Sequence, residues 1–486
     1  MKYLFIETFP ISPHLETSLE IALDLKKSGH DVYFFWNGYD LPWTDWDLPF
    51  YKKLLLFSYK KKMSNVCNFL KKNSINVIEK FTLDEDIFNL IEKETNKIKK
   101  IKNLKFYKYK KKYPIGMSAY SSLVSRYHKD DIELLKNKVF GAYKSGCIVF
   151  ERANKVIKEI KPNIIFTFNN RFVISKPITE AAKLNNVKVY THERGSTLSK
   201  YEIFEGDIFD NKITYNTINK YWKKETDNSK KLSIANKYFS QIEKKTYFKK
   251  IGFNYDNFNI NKISVEKNKK VILYLCTTDY EHQAISADVN RFYLNKEWSK
   301  QINTIKSIIK IIKKDKHIIL YIKAHPNFGK SKDLESSLKK MTSKNIVYLP
   351  SSSKVDSINL IKNSDLVFTF GSSLELYAVF CGKKVFSFFK SRWSKFNIVK
   401  YPKNNLDLKN LIYSTKKIEN MKTRKKNLLK ITYYIMIYGI KFKFFKPLGH
   451  SKGIFIDKEI NHYGVIYNLL IKIDLIFKML NRIIKV

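Results

Sequence analysis

Short apolar runs separated by amphipathic stretches recur along this chain. Lys2-Tyr3-Leu4-Phe5-Ile6-Glu7 predicts a first strand. Pro10-Ile11-Ser12-Pro13-His14 follows as a rigid loop. From Leu15 to Ser28 the apolar positions Leu19, Ile21, Ala22 and Leu25 keep helical spacing, Gly29 caps the helix, and Asp31–Trp36 is a second strand. The same alternation returns with a helix over 139–160, a strand over 162–168, a helix over 175–184 and a strand over 187–190. A second series starts with the strand 271–275. It continues with a helix over 298–314, a strand over 317–323, a strand over 346–349 and a helix over 355–362. It ends in the run Asp365 to Val385, read as strand, Gly371-Ser372-Ser373 turn, helix Leu374–Phe380, Gly382 cap and a new strand. Near-continuous apolar strands alternating with helices predict parallel sheets, hence the α/β class.

Two stretches break the pattern. Residues 37–140 are aromatic-rich, carry lysine runs at 60–62, 97–102 and 108–112, and read as helical, with an insertion at about 41–140. Residues 197–265 lack strand alternation and read as helical, which places a connector at 226–267. The expected domains are 1–225, 268–403 and a basic helical tail over 404–486. The tail is expected to pack back on the first domain or on a membrane. Tyr463 to Val486 gathers Val465, Ile466, Leu469, Leu470 and Ile473 near one face with lysines around them.

Length agrees with two domains, since 486 residues exceed one ordinary core. Charge changes the picture less than its size suggests. Lys+Arg 91 against Asp+Glu 45 leaves +46, nearly all of it lysine. With abundant Asn, Ile, Tyr and Phe and scarce Gly (15) and Pro (11), this matches the bias of an AT-rich genome. What survives is affinity for anionic surfaces. The basic residues are spread along the chain and no nucleic-acid-reading motif occurs, so nucleic acid is not an expected partner. The four cysteines lie far apart, without a CxxC pair, which argues against a zinc site or a disulfide framework. Residues 1–9 read as a strand, not a secretion signal, and no apolar run reaches the ~18–20 residues of a membrane span.

Candidate chemistry collects at the carboxyl ends of strands, where open α/β sheets bind ligands. In the first half these are Glu7-Thr8 with His14 nearby, Asn169-Asn170-Arg171, and His192-Glu193-Arg194. Glu193 is the candidate general base for an acceptor hydroxyl. Arg171 and Arg194 are candidates for an anionic acceptor, with Asn170, His14 and Glu7 beside them. In the second half the ends are Thr277-Thr278-Asp279, His325-Pro326 and Gly371-Ser372-Ser373. His325 can donate to a phosphate, Ser372 and Ser373 can take further oxygens, and Glu375 can accept from a ribose. No Asp-x-Asp sits at a strand end to suggest a divalent cation, and no cofactor is expected.

Three of these stretches together resemble the two-domain GT-B glycosyltransferases, and among them the bacterial capsule polysaccharide transferases and sialyltransferase-like enzymes. They are Glu193-Arg194-Gly195, Lys323-Ala324-His325-Pro326, and Gly371-Ser372-Ser373-Leu374-Glu375 with Gly382-Lys383-Lys384-Val385. The middle position of the acidic motif is Arg194, where the family carries a carboxylate. The resemblance covers about 1–40 and 160–390. It implies two Rossmann-like domains facing a central cleft, Glu193 as catalytic carboxylate, and donor phosphate held by His325, Ser372 and Ser373 with Lys323 and Pro326 beside them. It also implies a nucleotide-sugar donor, favouring a CMP-activated acidic sugar, and transfer with inversion and without a metal. The acceptor is then a lipid-linked or polysaccharide glycan of capsule or lipopolysaccharide type. The expected location is cytoplasmic, peripheral on the anionic inner face of the plasma membrane, with other capsule-biosynthesis proteins as candidate partners. A nucleotide-sugar epimerase and a polyol-phosphate transferase on the same fold stand as alternatives, and a basic nucleic-acid-binding protein as one of another class.

Overall fold

The structure is a computed structural model. It describes residues 1–8, 12–38, 40–44, 53–79, 81–128, 131–247, 268–285, 292–325, 332–353, 355–416, 419–449 and 452–456. The chain forms two compact units. The first comprises Met1–Tyr127, Asp131–Ile208 and the chain from Gly439 onward; the second is essentially Phe209–Tyr438.

The first unit is built on β1 (Lys2–Glu7), β2 (Asp31–Trp36), β3 (Asn76–Ile78), β4 (Ile164–Phe168), β5 (Lys188–Arg194) and β6 (Lys200–Glu205). Strands β3-β2-β1-β4-β5 run parallel, and β6 is antiparallel to β5. One face of this sheet buries Tyr3, Phe5, Val32, Phe34 and Phe166 against Leu15, Leu19 and Ala22 of the helix His14–Lys27. The helix is held there by its apolar stripe and stops at Ser28, after which Gly29 turns the chain with φ +79°.

The second unit carries β7 (Lys270–Leu275), β8 (Ile318–Lys323), β9 (Ile346–Leu349), β10 (Leu366–Thr369) and β11 (Lys384–Ser387), all parallel, in the order β11-β10-β7-β8-β9. Alternate residues feed the two faces. Val271, Leu273, Ile319 and Val367 pack on one side, and Ile272, Tyr274, Leu320 and Phe368 on the other. The α/β class and the two Rossmann-like units follow from these strand orders.

Four expectations need correction. The stretch 37–140 contains helices (Glu85–Asn96, Ile115–Tyr127), but it also supplies β3, a three-residue edge strand too short to show a period. The stretch read as helical from 197 begins with β6, whose Lys, Glu and aromatic residues give no continuous apolar run. The helices Asn211–Lys224 and Asn228–Glu243 do follow, but they belong to the second unit, packing on the helix Met421–Ile437. The tail is not wholly helical: β12 (Ile440–Lys441) pairs with β6, and β13 (Phe445–Gly449) pairs with β14 (Lys452–Phe455). Phe445 and Phe455 enter the core of the first unit, so this part of the tail does pack back on that unit. Most of the connector (248–267), Pro326 and the helix expected at 463–486 lie outside the described residues. Among the described residues no helix is long and apolar enough to cross a membrane.

Candidate functional site

In each unit the strand order reverses next to the first strand. In the first unit the chain runs β1-β2-β3 to one side and β4-β5 to the other; in the second it runs β7-β8-β9 and then β10-β11. A crevice opens at the carboxyl ends of the two strands flanking such a reversal, because their crossovers leave on opposite faces. The reversals lie between β1 and β4 and between β7 and β10.

At the first reversal the polar residues are buried. Glu7 ends β1, and its carboxylate accepts from Ser18 Oγ on the helix His14–Lys27. Ser18 Oγ is also 3.0 Å from His192 Nε2, and His192 is fully buried on β5. Burial pushes the Glu7 carboxyl from 4.5 up to about 8 and His192 down to about 3, so at neutral pH both are uncharged. The His14 ring lies 3.7 Å from Phe168, centroid to centroid, and burial together with His192 and Arg194 holds it neutral too. Asn169 and Asn170 follow β4 with φ +59° each, a conformation that asparagine tolerates. Asn170 Oδ1 accepts from Thr179, and Asn169 Nδ2 donates to Glu193 Oε2.

Glu193 does not stand in a loop beyond its strand. β5 continues through Arg194 and turns into β6 at Gly195, where a Cβ would come within 2.6 Å of Lys200 Cβ. Glu193 therefore faces Glu202 across the ladder, half-buried, with Oε1 accepting from the Arg194 backbone N–H at 2.9 Å. Arg194 is half-buried, and Glu193 attracts its guanidinium. Arg171 lies over the Phe172 ring, 4.4 Å from its centroid. The sequence reading named Asn169 and His192 only as polar strand-end residues, and missed Ser18 and Glu202. Only the register, which pairs Phe168 with His192, brings these together.

The raised acid has a consequence for stability. A carboxyl that holds its proton more tightly folded than unfolded stabilises fully below its unfolded pKa, and that contribution is lost as pH rises through the folded value. The window for Glu7 is therefore 4.5 to about 8. Thermal melts at about pH 5 and about pH 9 should show wild type losing more stability over this range than Glu7→Gln, which has no proton to lose. Parallel curves would remove Glu7 as a buried acid.

At the second reversal Thr277 follows β7. Its Oγ1 donates to the Phe370 carbonyl at 2.9 Å and lies 3.0 Å from His282 Nε2, while Gln301 bonds both its backbone N–H and its carbonyl. His282, from the helix Asp279–Gln283, packs on Phe389 and is pushed by burial to about 4. The sequence reading missed it because no motif surrounds it. Thr278 is buried beside it. Gly371 turns with φ +79°, and a Cβ there would meet Phe389 at 2.7 Å and His282 at 3.2 Å, so no other residue fits. Ser372 is half-exposed and accepts from the Leu374 N–H, and Ser373 is exposed. His325, half-buried after β8, is held neutral mainly by burial.

Two of the expected donor ligands point elsewhere. Lys323 is buried and its Nζ reaches the carbonyls of Pro350 and Ser353, both at 3.4 Å. Glu375 is fully buried, with Thr369 donating to one oxygen at 3.1 Å and Ser391 to the other at 2.9 Å. Burial raises its carboxyl to about 7. Both oxygens are engaged inside the fold, so Glu375 ties the end of β10 to Ser391 instead of reaching a ribose.

Compared with known proteins, the chain matches no protein-family model and no curated protein. Among solved structures it is similar to the KpsC beta Kdo 2,7 transferase of Thermosulfurimonas dismutans, at 12% identity and TM-score 0.36, over 64% of this chain and 87% of that one. It is similar also to the UDP-GlcNAc 2-epimerase of Methanocaldococcus jannaschii in complex with UDP-GlcNAc and UDP, at 12% identity and TM-score 0.30, over 89% and 100%. A glycosyltransferase from Rickettsia africae matches at 14% identity and TM-score 0.25, over 91% and 94%. At these scores the fold assignment stands on the chain's own strand orders.

Proposed function

We propose that the protein is a glycosyltransferase that takes a sugar from a nucleotide-activated donor, with inversion and without a metal, and passes it to a bacterial surface glycan. The observation that carries this reading is the second reversal. Thr277, His325 and the Gly371-Ser372-Ser373 turn follow β7, β8 and β10, three adjacent strands, at the end of the sheet where α/β proteins hold nucleotides. His325 and the serines offer neutral donors to the leaving phosphate. Fixed dipoles of this kind stabilise charge that develops in the transition state.

The first unit supplies the acceptor side. Glu193 is the general base for the attacking hydroxyl, oriented by Asn169 and by the Arg194 N–H. The basic chain would hold the enzyme near an anionic membrane surface carrying the acceptor. A CMP-linked acidic sugar is the favoured donor on the sequence resemblance. A second reading rests on Glu7. An acid that keeps its proton to about 8, at the same sheet end as a base, also suits a nucleotide-sugar epimerase, which needs no acceptor.

A panel of CMP, CDP, UDP and GDP in thermal-shift and calorimetric titrations tests the donor site. One nucleotide should bind saturably, and His325→Ala should weaken it about three- to tenfold, the worth of one neutral hydrogen bond. Equal, salt-sensitive responses to all four, or unchanged affinity in the variant, would defeat the assignment. Product analysis with and without a glycan acceptor separates transfer from epimerisation.

A further inference from the structure

A cavity of about 540 Å³ lies within the second unit, along the outer edge of β11 and away from the carboxyl strand ends. Its walls are β11, the segment around Lys400, the helix Asn405–Tyr413 and the start of the helix Met421–Ile437. Among the described residues Lys384, Lys400, Lys416 and Arg424 line it, against a single acid, Glu419. Glu419 is turned to Lys400 at 3.5 Å, with both side chains at least half-exposed. Val385, Phe386 and Leu411 add apolar wall.

Arg424 is the residue this arrangement does not neutralise. It is 6% exposed. Its Nε and one Nη donate to the Ile398 carbonyl, which leaves the second Nη with no partner among the described residues. Among the described residues no carboxylate is set against it, and burial lowers its affinity for its proton. A buried cation without an anion is costly, by several kcal/mol as an order of magnitude. Independently, the helix Met421–Ile437 begins beside the same cavity with no side-chain cap at Asn420 and no acid in its first turn. Its free N–H groups and positive dipole end favour an anion.

We propose that this cavity is an anion site for an organic phosphate, separate from the strand-end nucleotide site. The phosphate seats between Arg424, the helix start and the lysines, and the organic part lies on Phe386 and Leu411. The volume exceeds what inorganic phosphate alone would fill.

The test uses the full chain and inorganic pyrophosphate as probe, with chloride added to hold ionic strength constant. Wild type should show a saturable rise in melting temperature and a calorimetric isotherm. Measured in wild type and again in the His325→Ala background, which weakens the strand-end phosphate contact, Arg424→Gln should lose the saturable response and Lys400→Gln should weaken it at least threefold. Lys400 is half-exposed, so its variant keeps the fold if Arg424→Gln does not. A response equalled by chloride, or retained in both Arg424→Gln and Lys400→Gln, overturns the proposal. Loss in His325→Ala with retention in Lys400→Gln would assign the anion to the nucleotide site instead.

Discussion

Glu193→Gln should lower turnover by roughly 10²–10⁴-fold, the usual worth of a positioned general base, while nucleotide affinity stays within about twofold. The amide keeps the size of the side chain; its oxygen can still accept from the Arg194 N–H and its NH2 can donate to Asn169 Oδ1 once that amide turns over, so the hairpin should persist. What it cannot do is accept the acceptor's proton. Single-turnover rates with bound donor isolate that step from binding. A rate within threefold of wild type would remove Glu193 as the base and turn attention to Glu202, its neighbour across the ladder. Loss of donor affinity together with rate would instead mean that the substitution disturbs the fold.

The largest stability effect is expected from Lys62→Ala. Lys62 Nζ meets Glu16 Oε1 at 3.0 Å, and each side chain is 1% exposed. Ser12 also donates to that oxygen at 2.6 Å, while Glu16 Oε2 has no hydrogen-bond partner among the described residues. Removing the ammonium leaves a buried carboxylate without its counter-ion, which costs about 3–5 kcal/mol. Urea unfolding should show that loss, and Lys62→Met combined with Glu16→Leu should restore most of it because no charge remains to bury. Lys71→Ala is the control. Its ion pair with Glu79 is about half-exposed at both ends, and such pairs are worth less than about 1 kcal/mol. If Lys62→Ala behaves like Lys71→Ala, the interior pair is better solvated than its burial implies. Glu16 and Ser18 share a helix, so loss of this pair should also loosen the contact to Glu7.

The parallel strands were legible because burial on both faces writes an uninterrupted apolar run. β1, β2 and β9 match their expected spans, and β7, β8 and β10 match within a residue. What escaped were strands without that imprint. β3 has three residues, β12 has two, and β6 mixes lysine, glutamate and aromatics at the antiparallel side of the sheet. Missing β6 misplaced Glu193, which was read as lying beyond a strand when it is inside one. The carboxyl ends of the strands were located from the sequence. Which side chains there are already engaged was not, because the partners are remote. Ser18 reaches His192 across 174 residues, and Glu375 is enclosed by Thr369 and Ser391.

The return of the chain to its first unit sets a timetable for synthesis. The backbone N–H of Phe444 donates to Glu20 Oε2 at 3.0 Å, and that of Lys443 to Oε1, across 423 residues. At about 5–20 residues per second, a ribosome needs roughly 20–85 s between making Glu20 and making its partners. During that interval Glu20 and the apolar patch later covered by Phe445 and Phe455 stay unsealed, and by its end every strand of the second unit has been made. The N-terminal unit is therefore the last to be completed. A released chain ending at 438 should hold a folded second unit beside an unfinished first one that recruits chaperones.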